Sequence, residues 1–217
     1  MIVTNLKKRI YTSLALLLLV ILIIKFKTIL VFSLIVLGIL SLLEFFEITK
    51  KIFKNRFYSL ISNIFFLIYL FIFCLIFFFF SNFIQLKFIL FSLLLGCIAS
   101  DIGGFAFGKI FKGPKLTKIS PKKTYAGALG SILFTSLTLF SLIFFLPVNV
   151  NYLIFIIAII TSIACQIGDL FFSYLKRKAK IKDTGNFLPG HGGVLDRLDG
   201  IFLGIPAGFI CLVLFIK

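Results

Sequence analysis

The sequence is poor in acid, histidine and tryptophan. Of 217 residues, seven are Asp or Glu, one is His and none is Trp. A single histidine leaves little room for a hydrolytic triad, and no Ser-His-Asp order is evident. No G-x-x-x-x-G-K-[ST] string occurs, so a P-loop nucleotide site is excluded. The four cysteines, Cys74, Cys97, Cys165 and Cys211, each stand alone in an apolar run. Without metal-ligand spacing they read as small core residues. Charge of either sign is scarce, at 14% of residues against 61% hydrophobic. A soluble domain is about half apolar and about a quarter charged. The same figures exclude disordered and fibrous classes. No soluble domain, linker or internal repeat is found.

What is present is apolar length. A span of ~30 Å of hydrocarbon takes about 20 apolar residues. Seven candidates run Ile10–Ile24, Thr28–Phe46, Phe57–Phe80, Phe83–Phe107, Gly127–Leu146, Tyr152–Tyr174 and Leu198–Ile216. The first is short and borrows from its flanks. It lacks a small-residue cleavage site, so it is not read as a signal peptide. The fourth is interrupted by Ser100, Asp101, Gly103 and Gly104 and reads as two pieces. The G-x-x-x-G at Gly104–Gly108 suits helix packing.

The net charge of +16 partly follows a Phe-, Ile-, Lys- and Asn-rich composition typical of low-GC coding, so its placement matters more than its size. Lys7, Lys8 and Arg9 precede the first span. Lys50, Lys51, Lys54 and Arg56 follow the second, and Lys109, Lys112, Lys115, Lys118, Lys122 and Lys123 the fourth. Lys176, Arg177, Lys178, Lys180, Lys182 and Arg197 follow the sixth. These are 19 of the 23 basic residues, and the alternate loops keep only Lys25, Lys27, Lys87 and Lys217. The positive-inside rule then puts the N-terminus in the cytoplasm and the C-terminus outside. The expected fold is an all-α polytopic membrane protein of about seven transmembrane helices. The first two basic loops are read equally as topology signals and as contacts for anionic headgroups. The last two also carry acids, glycines and prolines.

Glu44 and Glu47 stand one turn apart at an inner span end and read as interfacial residues near Lys50 and Lys51. The other five acids are Asp101, Asp169, Asp183, Asp196 and Asp199. Asp101 and Asp169 lie within or at the ends of apolar spans, where carboxylates are costly and point to function. A charge pair with a neighbouring lysine is the plainer reading. Asp196 and Asp199 are three apart at the entry to the last span, on one face if the helix has begun. Like charges that close call for a cation between them. Arg197 is one, and Mg²⁺, which takes one or two carboxylates plus substrate phosphates, is a better one. Asp169 adds a third carboxylate from the preceding span.

His191 lies in Pro189-Gly190-His191-Gly192-Gly193. Glycines let backbone approach a ligand, and successive N–H groups form anion-binding concavities. The loop reads as a phosphate or ribose cradle with His191 as polar contact or proton carrier. In Ser120-Pro121-Lys122-Lys123-Thr124, Ser120 is placed as N-cap and Pro121 in the first turn of the next helix. A helix start carrying two lysines and a threonine suits phosphate.

These residues reach a family. Ser173 to Asp199 reads SYLKRKAKIKDTGNFLPGHGGVLDRLD. Over its 27 residues it resembles the signature of the bacterial phosphatidate cytidylyltransferases, the CDP-diacylglycerol synthases. Asp101–Gly113 and Ser120–Gly127 resemble two upstream blocks of that family. The family's Glu and Trp are Ala126 and Tyr125 here, its Ala-Tyr is Gly104-Phe105, and the chain is shorter than expected.

The resemblance implies transfer of a cytidylyl group from CTP to phosphatidic acid, giving CDP-diacylglycerol and pyrophosphate, at the cytoplasmic face of a bacterial inner membrane. It implies a single integral domain, with helices in residues 1–99 and a catalytic region with two cytoplasmic loops in 100–217. Asp169, Lys176, Arg177, His191, Asp196, Arg197 and Asp199 are expected to be catalytic. Asp101, Ser120, Lys122, Lys123, Thr124, Lys182, Asp183, Gly190, Gly192 and Gly193 are expected to bind substrate. Mg²⁺ is expected on Asp169, Asp196 and Asp199, with a second cation left open. Partners are CTP, phosphatidic acid and membrane lipids, with no nucleic acid and a homodimer left open. The alternatives are another membrane CTP or lipid-phosphate enzyme of polyprenol kinase type, an ion-coupled transporter using Asp101 and Asp169, and an inactive member of the family.

Overall fold

A computed structural model describes residues 2–144, 153–188 and 192–215. Among these there are seven helices and no strand. They are α1 (Ile2–Lys25), α2 (Lys27–Ile52), α3 (Arg56–Phe80), α4 (Ile84–Phe111), α5 (Tyr125–Ile143), α6 (Leu153–Lys178) and α7 (Leu195–Phe215). All but α1 contain a stretch long and apolar enough to cross a membrane. The apolar part of α1, Leu14–Lys25, is shorter than that.

The helices divide into two compact units. The first takes residues 1–79 and 175–198, and the second takes 80–174 and 199–217. In the first, α2 and α3 are joined by a short turn in which Asn55 Oδ1 accepts from Phe57 N at 2.9 Å and caps α3. Phe45 stacks on Phe66 with ring centroids 4.0 Å apart. Below it Thr49 donates to Asn63 Oδ1 at 2.8 Å, and Ser59 donates to Thr49 at 3.3 Å. Hydrocarbon offers such hydroxyls no water, so they bond across helices.

In the second unit α4 is one unbroken helix, contrary to the two pieces expected from Ser100, Asp101, Gly103 and Gly104. Glycine breaks a helix only where it is free to leave one. Here Gly103 and Gly104 face α5, and a Cβ on Gly103 would collide with the Gly130 carbonyl and the Phe134 ring. A Cβ on Gly127 would lie 2.7 Å from the Gly104 carbonyl. The glycines are therefore the seam by which the two backbones approach, as small residues are in membranes. Ser131 donates to the Ser100 carbonyl at 2.8 Å, and Ser100 and Ser162 hydroxyls meet at 3.0 Å, tying α4 to α5 and α6. Gly168 of α6 lies against the Asp199 carbonyl, and Phe172 packs on Phe202 of α7. Large apolar side chains such as Phe105, Leu129 and Leu137 project outward, as a lipid-facing surface requires.

Candidate active site

The polar residues singled out by sequence fall into two clusters, one in each unit. The first begins in the segment between α4 and α5. Ser120 and Pro121 open a turn in which Lys123 N donates to the Ser120 carbonyl at 3.0 Å. Proline at the second turn position presets that geometry. Ser120 is therefore not the N-cap of α5, and Pro121 is not in its first turn. Thr124 is the cap, extended at φ −120 and ψ 158, and its side chain accepts from Gly127 N at 3.1 Å. The turn also pairs Lys115 with Thr124 in an isolated bridge. Lys115, Leu116, Thr117, Lys118 and Pro121 line a hollow of about 390 Å³ beside it.

Placed just before the cap, Lys123 pairs its ammonium with the Asp169 carboxylate of α6. Asp169 also accepts from Ser173, one turn on, at 3.3 Å. Both partners keep a good share of solvent exposure, 23% and 29%. Lys122 and Asp101 are exposed in the same unit. Asp199 is buried, and its Oδ1 accepts from Gly200 N at 2.9 Å.

The second cluster is built where α6 ends and α7 begins. Lys180 takes φ 55, Ile181 N donates to the Lys176 carbonyl, and Lys180 N to the Arg177 carbonyl. This Schellman-type end satisfies the last carbonyls and turns the chain back. Lys176 then meets Asp196 Oδ1 at 2.7 Å, with side chains only 12% and 8% exposed. Asp196 Oδ2 accepts from Thr184 N at 2.8 Å and Gly193 N at 3.1 Å. Leu188 N bonds the Gly192 carbonyl at 2.9 Å, closing the loop. Gly192 is at φ 85, a conformation that favours glycine. Arg177, Lys182, Asp183 and Arg197 are exposed. Gly190 and His191, expected in the phosphate cradle, lie outside the described residues.

The residue that sequence reasoning misplaced is Glu44. It is not an interfacial acid beside Lys50, because it is 1% exposed. Its Oε1 accepts from Val194 N at 2.9 Å, and its Oε2 accepts from Thr184 Oγ1 at 2.7 Å and Leu195 N at 2.8 Å. Thr184, unmarked in the sequence, is bonded on both sides, by its hydroxyl to Glu44 and by its N–H to Asp196. The N–H groups of Gly193, Val194 and Leu195 are thus turned to carboxylates of the chain itself.

The donor chemistry suits a hard cation. Asp169, 29% exposed, could take a hard cation in place of the Lys123 ammonium, whereas both oxygens of Asp196 are already bonded and its side chain is 8% exposed. Among the described residues no three His, Cys, Asp or Glu side chains are grouped for a metal ion. Mg²⁺ does not need three, since substrate phosphates and water complete its shell.

The model of the cytidylyltransferase family matches residues 7–215. The chain belongs to the cytidylyltransferase family. It is 44% identical over 132 residues to the phosphatidate cytidylyltransferase of Rickettsia felis, covering 56% of this chain and 58% of that one. It is 38% identical over 125 residues to the phosphatidate cytidylyltransferase of Mycobacterium bovis, covering 57% and 41%. The chain spans about half the length of the curated relatives it matches.

Proposed function

We propose that this chain transfers the cytidylyl group of CTP to phosphatidic acid, releasing pyrophosphate and leaving CDP-diacylglycerol in a bacterial inner membrane. Family membership over residues 7–215 carries the reading. The relatives named phosphatidate cytidylyltransferase supply the acceptor, and the two lysine–aspartate pairs supply chemistry that fits it.

The phosphate of phosphatidic acid is anionic at neutral pH, so it attacks the α-phosphorus without an activated serine or cysteine. The protein's task is to hold two polyanions together and offset their charge as the bond to pyrophosphate breaks. Lys123 is partly exposed and held by one carboxylate, so it is placed to exchange Asp169 for a substrate phosphate. Lys122, Arg177 and Arg197, exposed nearby in sequence, add positive charge for the triphosphate and the lipid phosphate. Lys176 is held more tightly and presents a fixed charge. Asp169, the open carboxylate, would hold Mg²⁺, which would supply charge neutralisation for the substrate phosphates. With the N-terminus in the cytoplasm, both basic clusters face the compartment that holds CTP, while the acyl chains stay in the bilayer.

One experiment tests reaction and orientation together. Inverted and right-side-out membrane vesicles carrying the protein are given external CTP, Mg²⁺ and phosphatidic acid, and CDP-diacylglycerol is measured. Product from inverted vesicles alone is expected. No product from either, with detergent-purified folded protein also inactive, sinks the reaction. Product only from right-side-out vesicles reverses the orientation. An isoprenoid alcohol or phosphate accepted in place of phosphatidic acid would move the assignment to the polyprenol kinase type.

A further inference from the structure

Glu44 sits in the apolar interior of α2, and among the described residues no cation is in its bonding shell. Its three donors are the Thr184 hydroxyl and the N–H groups of Val194 and Leu195. The two amides stand at the start of α7, where N–H groups lack intrahelical partners and the helix end is positive. A buried carboxylate is costly unless such donors meet it. The fit is close enough to exclude side chains around it. A Cβ on Gly185 would lie 2.6 Å from Glu44 Oε1, and one on Gly193 would lie 2.5 Å from Oε2 and collide with the Thr184 hydroxyl. Glycine at these two positions is explained by the carboxylate beside them.

We propose that Glu44 is a positioning residue for the reaction, holding Thr184, Val194 and Leu195 while Asp196 holds Thr184 and Gly193. Thr184 N and Gly193 N bind Asp196, which binds Lys176, so an error in the segment passes directly to both charged groups. Glu44 itself touches no substrate. The role rests on the function proposed above.

Glu44→Gln tests it. The amide can keep its oxygen toward Thr184 and Leu195, but its NH₂ then opposes Val194 N–H. With Lys176 displaced, KM for CTP rises at least about tenfold, the size expected for one lost bond to a charged group. A smaller fraction of folded enzyme would lower the rate but leave KM where it was. Thr184→Val, which removes one donor and little else, gives a smaller rise in the same direction and covers the case in which Glu44→Gln does not fold. Gly185→Ala raises KM alone but adds nothing in a Glu44→Ala background, because the colliding carboxylate is gone. Amide exchange over residues 184–195 quickens in Glu44→Gln, a readout that needs no turnover. Unchanged KM and unchanged exchange in Glu44→Gln, or additive effects of the Gly185 and Glu44 changes, overturn the role while leaving the reaction intact. Inactive wild-type protein overturns the reaction, and exchange then decides separately whether Glu44 holds the segment.

Discussion

Two lysine–aspartate pairs use the same chemistry in different settings. Lys176–Asp196 is nearly shut off from solvent, and its carboxylate takes two backbone N–H groups besides the ammonium. Lys123–Asp169 is partly open, and among the described residues its carboxylate takes the Ser173 hydroxyl besides the ammonium. A buried charge bonded on every side is hard to move, because each partner left behind is unpaired. A partly exposed pair has water as a substitute and lets go cheaply. Under the proposed function the closed pair serves as framework, and the open pair is the one able to exchange its carboxylate for a phosphate.

The largest expected effect breaks the closed pair at its acid. Asp196→Asn keeps the shape but loses the charge that holds Lys176 and two amides. Turnover should fall about 10²–10³-fold, comparable to losing a preorganised electrostatic contact, while the protein still expresses. Wild-type rates in this variant, measured as CDP-diacylglycerol formed per folded enzyme, would remove Asp196 from the site.

The next prediction sets the pairs side by side through their lysines. Lys176→Met strands a carboxylate that is 8% exposed and should cost about 3–5 kcal/mol of stability. Lys123→Met strands one that water can reach and should cost less than about 1 kcal/mol. Thermal unfolding in detergent measures both. Equal losses would erase the distinction between framework and exchangeable charge.

Much of this arrangement was legible in sequence, and the rest failed for identifiable reasons. Apolar runs mark the helices because hydrocarbon demands length, and Asp169, Lys123, Lys176 and Asp196 stand out because charge is rare near such runs. Glycine was harder to read. Gly103 and Gly104 look like an interruption in one chain and become a packing seam only when α5 is beside them. Glu44 was misplaced through its neighbours. Glu47 has Lys50 and Lys51 three and four residues on, the spacing of a surface pair, whereas Glu44 has Glu47 and Ile48 there. An acid in an apolar helix without a cation at helical spacing needs donors from elsewhere, and that signal was available. That the donors are Thr184, Val194 and Leu195 was not, since they are 140 residues and more away.

The smallest effect sharpens the open pair. Thr124 begins α5 by accepting from Gly127 N, and Lys123 is the residue just before it. Thr124→Ala removes the cap and should cost about 1 kcal/mol, typical for a lost N-cap. Because Lys123 is anchored to the helix through that cap, the loss should appear mostly as a weaker grip on substrate, with KM rising a few-fold. Ser120→Ala leaves its carbonyl, which is what Lys123 N uses, and should change stability by less than about 0.5 kcal/mol. If Ser120→Ala proved as costly as Thr124→Ala, the helix would effectively start at the proline turn, and Lys123 would be a member of its first turn. The open pair would then be anchored as firmly as the closed one, and its readiness to exchange Asp169 for phosphate would lose its structural basis.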